Sequence, residues 1–214
     1  MHDSIAHPKV WNAAIKHLKK SDKTMAALVK RLPMKKRTLN KNHFEALITA
    51  IIFQQISGSA GASILKKFKA LYGGKVPTPK VFLLTKEKLV RGAGISPQKY
   101  SYLTDLSERI EDGRLELKEF YKMDDEKVVE ELDEVRGIGR WTAEMFLMFT
   151  LGRTDVLPVD DLGIKKGLMK AYKLRKMPNE AKFRALSKKW HPYCTVASLY
   201  LWRVLDDEGA GGNW

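Results

Sequence analysis

Apolar residues recur at helical spacing along almost the whole chain, and this pattern restricts the possible folds more than any other feature of the sequence. Around Phe44, Leu47, Ile48 and Ile51 they fall at i, i+3, i+4 and i+7, the spacing of one buried helix face. We find no alternating pattern long enough to predict a strand. The sequence therefore predicts an all-α fold.

Turn and capping residues divide this pattern into separate helices. Ser96 before Pro97 and Asp124 are typical of helix starts, and Gly73-Gly74 is typical of a helix stop. The predicted helices cover residues 8–19, 22–31, 44–56, 59–72, 81–91, 97–110, 124–135, 141–151, a stretch from 161, 178–190 and 193–206. The 141–151 helix is apolar almost all round, so it is predicted to be the most buried.

Composition excludes several classes of protein. Hydrophobic residues make up 44% of the 214 residues, enough to bury a core. No apolar run approaches the roughly 20 residues that a membrane span needs, and the N-terminal segment lacks the pattern of a secretory signal. A single cysteine, Cys194, excludes a disulfide framework and any four-cysteine metal site. The five histidines show no metal-ligand spacing, so no catalytic zinc is expected.

The charge of the chain indicates a polyanionic partner. The formal net charge is +14, and residues 1–43 carry 11 basic against 2 acidic residues. Each phosphate contact made by a basic side chain releases condensed counterions, which favours nucleic acid. A basic protein with no such partner is the alternative.

A tight turn between two helical patterns is a candidate site for the polyanionic partner. In LDEVRGIGRWTAEMFLMF the turn is Gly137-Ile138-Gly139. Glycine at both positions permits positive φ and exposes backbone amides beside the positive end of the next helix, which makes an anion site. Ile138 is expected to point inward. The pattern predicts a helix-hairpin-helix phosphate clamp, with a plain helical turn as the alternative, and the DNA-contacting residues Gly137, Gly139, Arg140 and Thr142.

Two adjacent aspartates precede the helix that starts near 161, in LPVDDLGIKKG. One aspartate is enough for an N-cap, so the second can be held ionised near the positive end of the helix. The small residues at 58–63 fit close helix packing and close approach of a DNA strand equally well.

The hairpin, the LPVDDLGIKKG segment and the terminal WHPYCTVASLYLW stretch together resemble the helix-hairpin-helix (HhH-GPD) DNA glycosylase superfamily, over roughly residues 8–206. The branch most resembled is the 3-methyladenine-DNA glycosylase II group, which excises alkylated bases. The resemblance implies two helical lobes, 1–43 with 155–214 and 44–154, with a cleft between them and the hairpin at 125–151. It implies a monofunctional glycosylase that flips alkylated purines out of duplex DNA and hydrolyses their N-glycosidic bond in base excision repair. A non-catalytic helix-hairpin-helix DNA-binding protein is the alternative.

The resemblance also assigns the catalytic and pocket residues. The essential aspartate of the family falls on Asp161, with Asp160 as a supporting cap or loop residue. Bifunctional relatives carry a Schiff-base lysine where this chain has Trp141, so no AP-lyase activity is expected. Trp141 and Trp202 correspond to aromatic pocket walls, with two core tryptophans as the alternative, and Met145 stands where some relatives have tyrosine.

The same resemblance places Gln54, Gln55 and Ser57 in the loop that enters the minor groove. Gln55 is expected to fill the gap left by the flipped base, unless the segment is only a polar helix end. The backbone carbonyls of Asp133, Val135 and Gly137 are candidates for a structural monovalent cation; no other cofactor is expected. The expected partner is double-stranded DNA with a damaged base, bound by a monomer away from membranes, in the cytoplasm of a prokaryote or the nucleus of a eukaryote.

Overall fold

Helices account for all the regular secondary structure in the part of the chain that the structure describes, residues 4–206. The structure is a computed structural model. Its α-helices are α1 (Pro8–Ser21), α2 (Lys23–Arg31), α3 (His43–Phe53), α4 (Gly58–Ala70), α5 (Pro79–Leu83), α6 (Glu87–Gly92), α7 (Pro97–Glu111), α8 (Asp125–Asp133), α9 (Arg140–Phe146), α10 (Leu162–Ala171), α11 (Glu180–Ser187) and α12 (Cys194–Asp206). Leu147–Leu151 is a π-helical turn, and Glu119–Tyr121 and Lys188–Trp190 are 3₁₀ turns. The all-α prediction is confirmed.

The chain forms two compact units. One contains the chain before Asn40 and the chain from Leu147 onward, and therefore includes α1, α2 and α10–α12. The other is Asn40–Phe146 and contains α3–α9. The lobe borders expected from the sequence lie between residues 43 and 44 and between residues 154 and 155. The borders between the two units along the chain lie between residues 39 and 40 and between residues 146 and 147. The second border coincides with the change from α9 to the π-helical turn.

The first unit is built around α12, in which every residue from Cys194 to Trp202 is buried. Helix α10 lies very close to it, because a Cβ on Gly167 would come within 2.1 Å of the Leu201 carbonyl oxygen. The prediction that 141–151 is the most buried helix is wrong. That segment divides into α9 and the π-helical turn, and Trp141 is 43% exposed.

A buried aspartate links the helices of this unit. Asp22 is the N-cap of α2 and accepts hydrogen bonds from the Thr24 amide at 2.8 Å and the Trp190 indole at 3.0 Å. The Tyr172 hydroxyl also donates to it, and the Lys189 ammonium lies 3.1 Å away. Burial alone would raise the pKa of Asp22, but the hydrogen bonds from these partners outweigh it and lower that pKa.

In the second unit, α3 buries the predicted apolar face and ends at Phe53 rather than continuing to 56. The predicted caps Ser96 and Asp124 accept hydrogen bonds from Lys99 N and Lys127 N, as expected. The predicted 81–91 helix is two helices, α5 and α6, since the Thr85 hydroxyl bonds back to the Val81 carbonyl where α5 ends.

The 178–190 prediction starts two residues early, because the N-cap is Asn179. No helix within residues 4–206 has the length and apolar character that crossing a membrane requires.

Candidate active site

The carboxylate of Asp161 lies at the start of α10 and is 5% exposed. Its Oδ1 accepts hydrogen bonds from Ile164 N at 2.6 Å and from Trp202 Nε1 at 2.9 Å. One oxygen therefore both caps the helix and binds a side chain from α12. The carboxylate is fixed in orientation by two elements rather than one.

The cap role expected for Asp160 is wrong. Asp161 directly precedes the first helical residue, so its oxygen reaches the amide three residues on, whereas Asp160 is one position too early. The Asp160 side chain is 79% exposed and pairs with Lys165 at 3.2 Å. The two aspartates thus differ in environment: one is buried and held, the other is solvated and ion-paired.

Gly163 makes the contact between Trp202 and Asp161 possible. A Cβ at this position would lie 2.8 Å from Trp202 Nε1 and 3.1 Å from Asp161 Oδ1. Trp202 itself is 3% exposed. The structure places this tryptophan in the core and in contact with Asp161, and its role as a pocket wall stays a prediction.

An aromatic stack continues from Trp202. The ring of Phe149, in the π-helical turn, is stacked on the indole with centroids 5.9 Å apart and planes at 27°. The Arg37 guanidinium lies 5.2 Å from the Phe149 ring centroid, a cation–π contact. Sequence reasoning missed Phe149 and Arg37, because a π-helical turn changes which residues share a face and leaves no signature in apolar spacing.

A cavity of about 270 Å³ adjoins this stack. Trp202 forms part of its wall, and its basic lining residues are Lys35, Arg37 and Arg203. The first two belong to the strongly basic N-terminal segment identified in the sequence. Part of this basic segment therefore lies beside the side chain that contacts Asp161, in a lining that also includes Asp206.

The hairpin in the second unit has two glycines with different roles. Gly137 has φ +79°, and a Cβ there would lie 2.1 Å from the Tyr102 ring. Gly139 does not adopt positive φ, and a Cβ there would meet only Asp133 Oδ1, at 3.9 Å. Ile138 is 2% exposed and points inward as predicted. The outward side of the turn therefore consists of the exposed Gly137 and Gly139.

The other predicted residues of this segment lie on or before α9. Arg140 is exposed, and both of its terminal nitrogens bond the Glu126 carboxylate. Trp141 is 43% exposed and Met145 is half-buried. Thr142 is 7% exposed, and its contact with DNA stays a prediction.

The loop after α3 contains the three residues predicted to enter the minor groove, and these residues differ in their contacts. Gln55 is exposed and has φ +56°, a left-handed conformation that is uncommon outside glycine. The side chain of Gln54 donates from Nε2 to the Gly137 carbonyl at 2.7 Å. The Ser57 hydroxyl caps α4 by accepting from Ala60 N at 3.3 Å. Gln54 connects the loop to the hairpin, and Ser57 connects it to the next helix.

Residues 48–192 match the HhH-GPD superfamily of base excision DNA repair proteins. The chain belongs to this superfamily. The hairpin, the Asp161 segment and the loop after α3 all lie inside the matched region.

Individual superfamily members are similar over most of their length. The alkylbase DNA glycosidase-like protein mag2 of Schizosaccharomyces pombe is 32% identical, over 91% of this chain and 93% of that protein. The structure of the 3-methyladenine DNA glycosylase of the same yeast in complex with abasic DNA has a TM-score of 0.81 at 32% identity, covering 91% of this chain and 97% of that one. A DNA-3-methyladenine glycosidase from Bacillus halodurans gives a TM-score of 0.83 at 31% identity, covering 98% and 94%.

Two of the three carbonyls expected to hold a monovalent cation in this superfamily member, those of Gly137 and Val135, already accept hydrogen bonds. Gly137 O accepts from Gln54, and Val135 O accepts from Ile138 N at 3.0 Å. A carbonyl oxygen has two lone pairs, so each can still ligate an ion on its other side. The cation site stays a prediction.

A group of possible metal ligands lies elsewhere, in the first unit. Ligand atoms of Asp155, His191 and Cys194 all lie within 4.8 Å of one another. Histidine spacing alone did not indicate this group, because Asp155 comes from a distant part of the chain. One Asp155 oxygen bonds His191 Nδ1 at 2.7 Å and the other accepts from Cys194 N at 3.1 Å. Each carboxylate oxygen has a protein partner, which accounts for the cluster without an ion.

Proposed function

We propose that this protein is a monofunctional DNA glycosylase that hydrolyses the N-glycosidic bond of alkylated purines in duplex DNA. The observation that carries the proposal is the buried Asp161 carboxylate, held by Ile164 N and Trp202 Nε1. In a protein that only binds DNA, Asp161 could still cap α10, but its negative charge would oppose phosphate binding. The net charge of +14 supports the DNA substrate.

The chemistry requires one acid. An alkylated purine carries positive charge, so it departs as a neutral base with the electron pair of the C1′–N bond. The sugar becomes a cation resembling an oxocarbenium ion, and a carboxylate stabilises this charge electrostatically. A water molecule then forms the new C1′–O bond, and its proton passes to the Asp161 carboxylate or to solvent. The result is a free base and an abasic site.

Strand cleavage is not part of the proposed reaction. Bifunctional superfamily members use a lysine amine to form an imine with the sugar, and this chain resembles them except that Trp141 stands at that position. The exposed indole of Trp141 is suited to a different task. It offers a π face to a cationic base, an interaction of about 1–2 kcal/mol when desolvated.

The test replaces each aspartate separately. Asn at 161 keeps an oxygen that can cap α10 and accept from Trp202, so Asp161→Asn should fold normally and lose at least about 100-fold in single-turnover base release. Asp160→Asn is the matched control and should retain its rate, since it removes only a solvent-exposed ion pair. The assay measures release from duplexes carrying methylated purines, ethenoadenine or hypoxanthine, with borohydride added in parallel.

Three results would contradict the proposal. Full activity of Asp161→Asn would remove the carboxylate from the mechanism. A borohydride-trapped protein–DNA adduct would show imine chemistry and overturn the monofunctional assignment. Tight duplex binding with no release from any substrate would favour the non-catalytic DNA-binding protein.

A further inference from the structure

The loop that joins α3 to α4 holds one residue in a strained conformation. Gln55 has φ +56°. For a residue other than glycine this conformation is unfavourable and persists only where the surroundings determine it. Such strain is concentrated at functional sites. The contacts that maintain it therefore bear on the role of the loop.

Lys99 provides the first of these contacts. From the first turn of α7 its Nζ donates to the Ile52 carbonyl at 2.7 Å and to the Gln54 carbonyl at 2.8 Å. These carbonyls lie at the C-terminal end of α3, where helical partners run out and a cation is favoured. The backbone on the N-terminal side of Gln55 is fixed by one ammonium group. Burial lowers the pKa of this Lys99 ammonium, so the contact is made against a desolvation cost.

Gln54 provides the second contact. Its Nε2 donates to the Gly137 carbonyl at 2.7 Å, which joins the loop directly to the hairpin. Phe53 adds packing on the same side, because its ring lies where a Cβ on Gly61 would be, 2.7 Å away. On the other side Ser57 caps α4. Phe53, Gln54 and Ser57 are thus each held by a packing contact or a hydrogen bond, and Ile56 is the exception among the neighbours of Gln55 in this loop. The Gln55 side chain is exposed.

We propose that Lys99 and Gln54 are positioning residues for base flipping: they hold Gln55 in its left-handed conformation and fix it to the Gly137–Gly139 turn. The phosphate clamp and the residue that fills the vacated stack then approach DNA as one preorganised body. A flexible loop would have to be ordered during flipping, which already costs a few kcal/mol of lost stacking. This inference rests on the proposed function, since it assigns the insertion step to Gln55.

The experiment separates insertion from catalysis. Insertion is measured on a duplex with a tetrahydrofuran abasic analogue opposite 2-aminopurine, whose fluorescence reports disruption of the stack and needs no base release. Catalysis is measured as single-turnover release of 7-methylguanine. The variants are Lys99→Met and Gln54→Met, which remove the donors and keep chain length, and Lys99→Arg, which restores a cationic donor. Lys88→Met, on exposed α6, removes the same charge elsewhere.

The proposal expects a specific pattern. Lys99→Met and Gln54→Met should each lose most of the 2-aminopurine signal and about 10- to 100-fold in release rate. Lys99→Arg should return to within about threefold of the parent rate, and Lys88→Met should match the parent in both assays. The decisive readout is coupling: in a Gln55→Ala background, Lys99→Met should cause almost no further loss.

Contrary results have distinct meanings. A normal 2-aminopurine signal in Lys99→Met and Gln54→Met, or losses that add fully to that of Gln55→Ala, would overturn the positioning role. If the melting temperature falls in parallel with every loss of fluorescence signal or release rate, Lys99 contributes only to stability and the positioning role is wrong. If the parent protein inserts but releases no base, the proposed function fails while the insertion assay still decides on Lys99 and Gln54.

Discussion

Gly163 offers the sharpest test of how Asp161, the proposed catalytic residue, is held. It lies in the first turn of α10 and has no positive φ, so alanine can adopt its backbone conformation. The difficulty is space: the new methyl group would lie 2.8 Å from Trp202 Nε1, 2.9 Å from Trp202 Cδ1 and 3.1 Å from Asp161 Oδ1. Gly163→Ala therefore disturbs the Trp202–Asp161 hydrogen bond without replacing either of its two residues.

The expected magnitude follows from two opposing effects. Alanine improves helix propensity over glycine by about 1 kcal/mol. Against this, the buried indole must move by about half an ångström or more, and a hydrogen bond to a charged group worth about 1.5–3 kcal/mol is stretched or lost. Phe149 stacks on the indole and hinders the movement, which adds packing strain of about 1–3 kcal/mol. The net destabilisation should be about 2–4 kcal/mol.

Two measurements follow from that estimate. The melting temperature should fall by roughly 4–15 °C, at about 2–4 °C per kcal/mol for a protein of this size. Well below the transition, single-turnover base release should fall by at least about tenfold, because Asp161 loses one of the two groups that orient it. Gly92→Ala is the control, since a Cβ there meets nothing within 4 Å. Parent-like base release by a folded Gly163→Ala would refute the orienting role of Trp202.

Two further predictions concern DNA binding and pH. Gly139→Asp should weaken binding to damaged and undamaged duplexes alike, and it should not lower the melting temperature because there is space for the side chain. Anisotropy titrations of both duplexes measure this effect. A loss of affinity confined to damaged DNA would place the turn in the base pocket. Asp22→Asn should lower the free energy of unfolding by about 2–4 kcal/mol at neutral pH. Because the pKa of Asp22 is lowered in the folded protein, its contribution to the free energy of unfolding is complete above its ordinary pKa of 3.8 and is lost as pH falls through the folded value. In denaturant titrations, the free energies of unfolding of parent and variant should therefore converge only at acid pH.

The helices were predictable because their signals are local. Apolar spacing and caps such as Ser96 and Asp124 depend on a few neighbouring residues, and both caps have the expected partners. The 81–91 and 141–151 predictions fail where a local hydrogen bond or a π-helical turn interrupts a continuous apolar pattern. Spacing cannot register either event, since the residues remain apolar while their hydrogen bonds change.

The contacts that hold the candidate site residues could not be predicted from the sequence. The sequence marked Asp161, Trp202, Gln54 and Gly137, yet gave no sign that they act in pairs. Trp202 reaches Asp161 from 41 positions away, and Gln54 reaches Gly137 from 83. Such contacts depend on tertiary packing. In the first pair a missing side chain, that of Gly163, is what allows the approach.

Capping and catalysis are compatible roles for Asp161, although from the sequence they compete. The cap uses Oδ1, and the amide that it accepts from lies at the positive end of a ten-residue helix, where negative charge is stabilised. The same placement that completes the helix therefore keeps the carboxylate stationary in a buried position. A carboxylate free to rotate would lose part of its electrostatic effect on a developing sugar cation, because its charge would have to be oriented in each turnover. Capping thus contributes to the preorganisation that the proposed reaction requires.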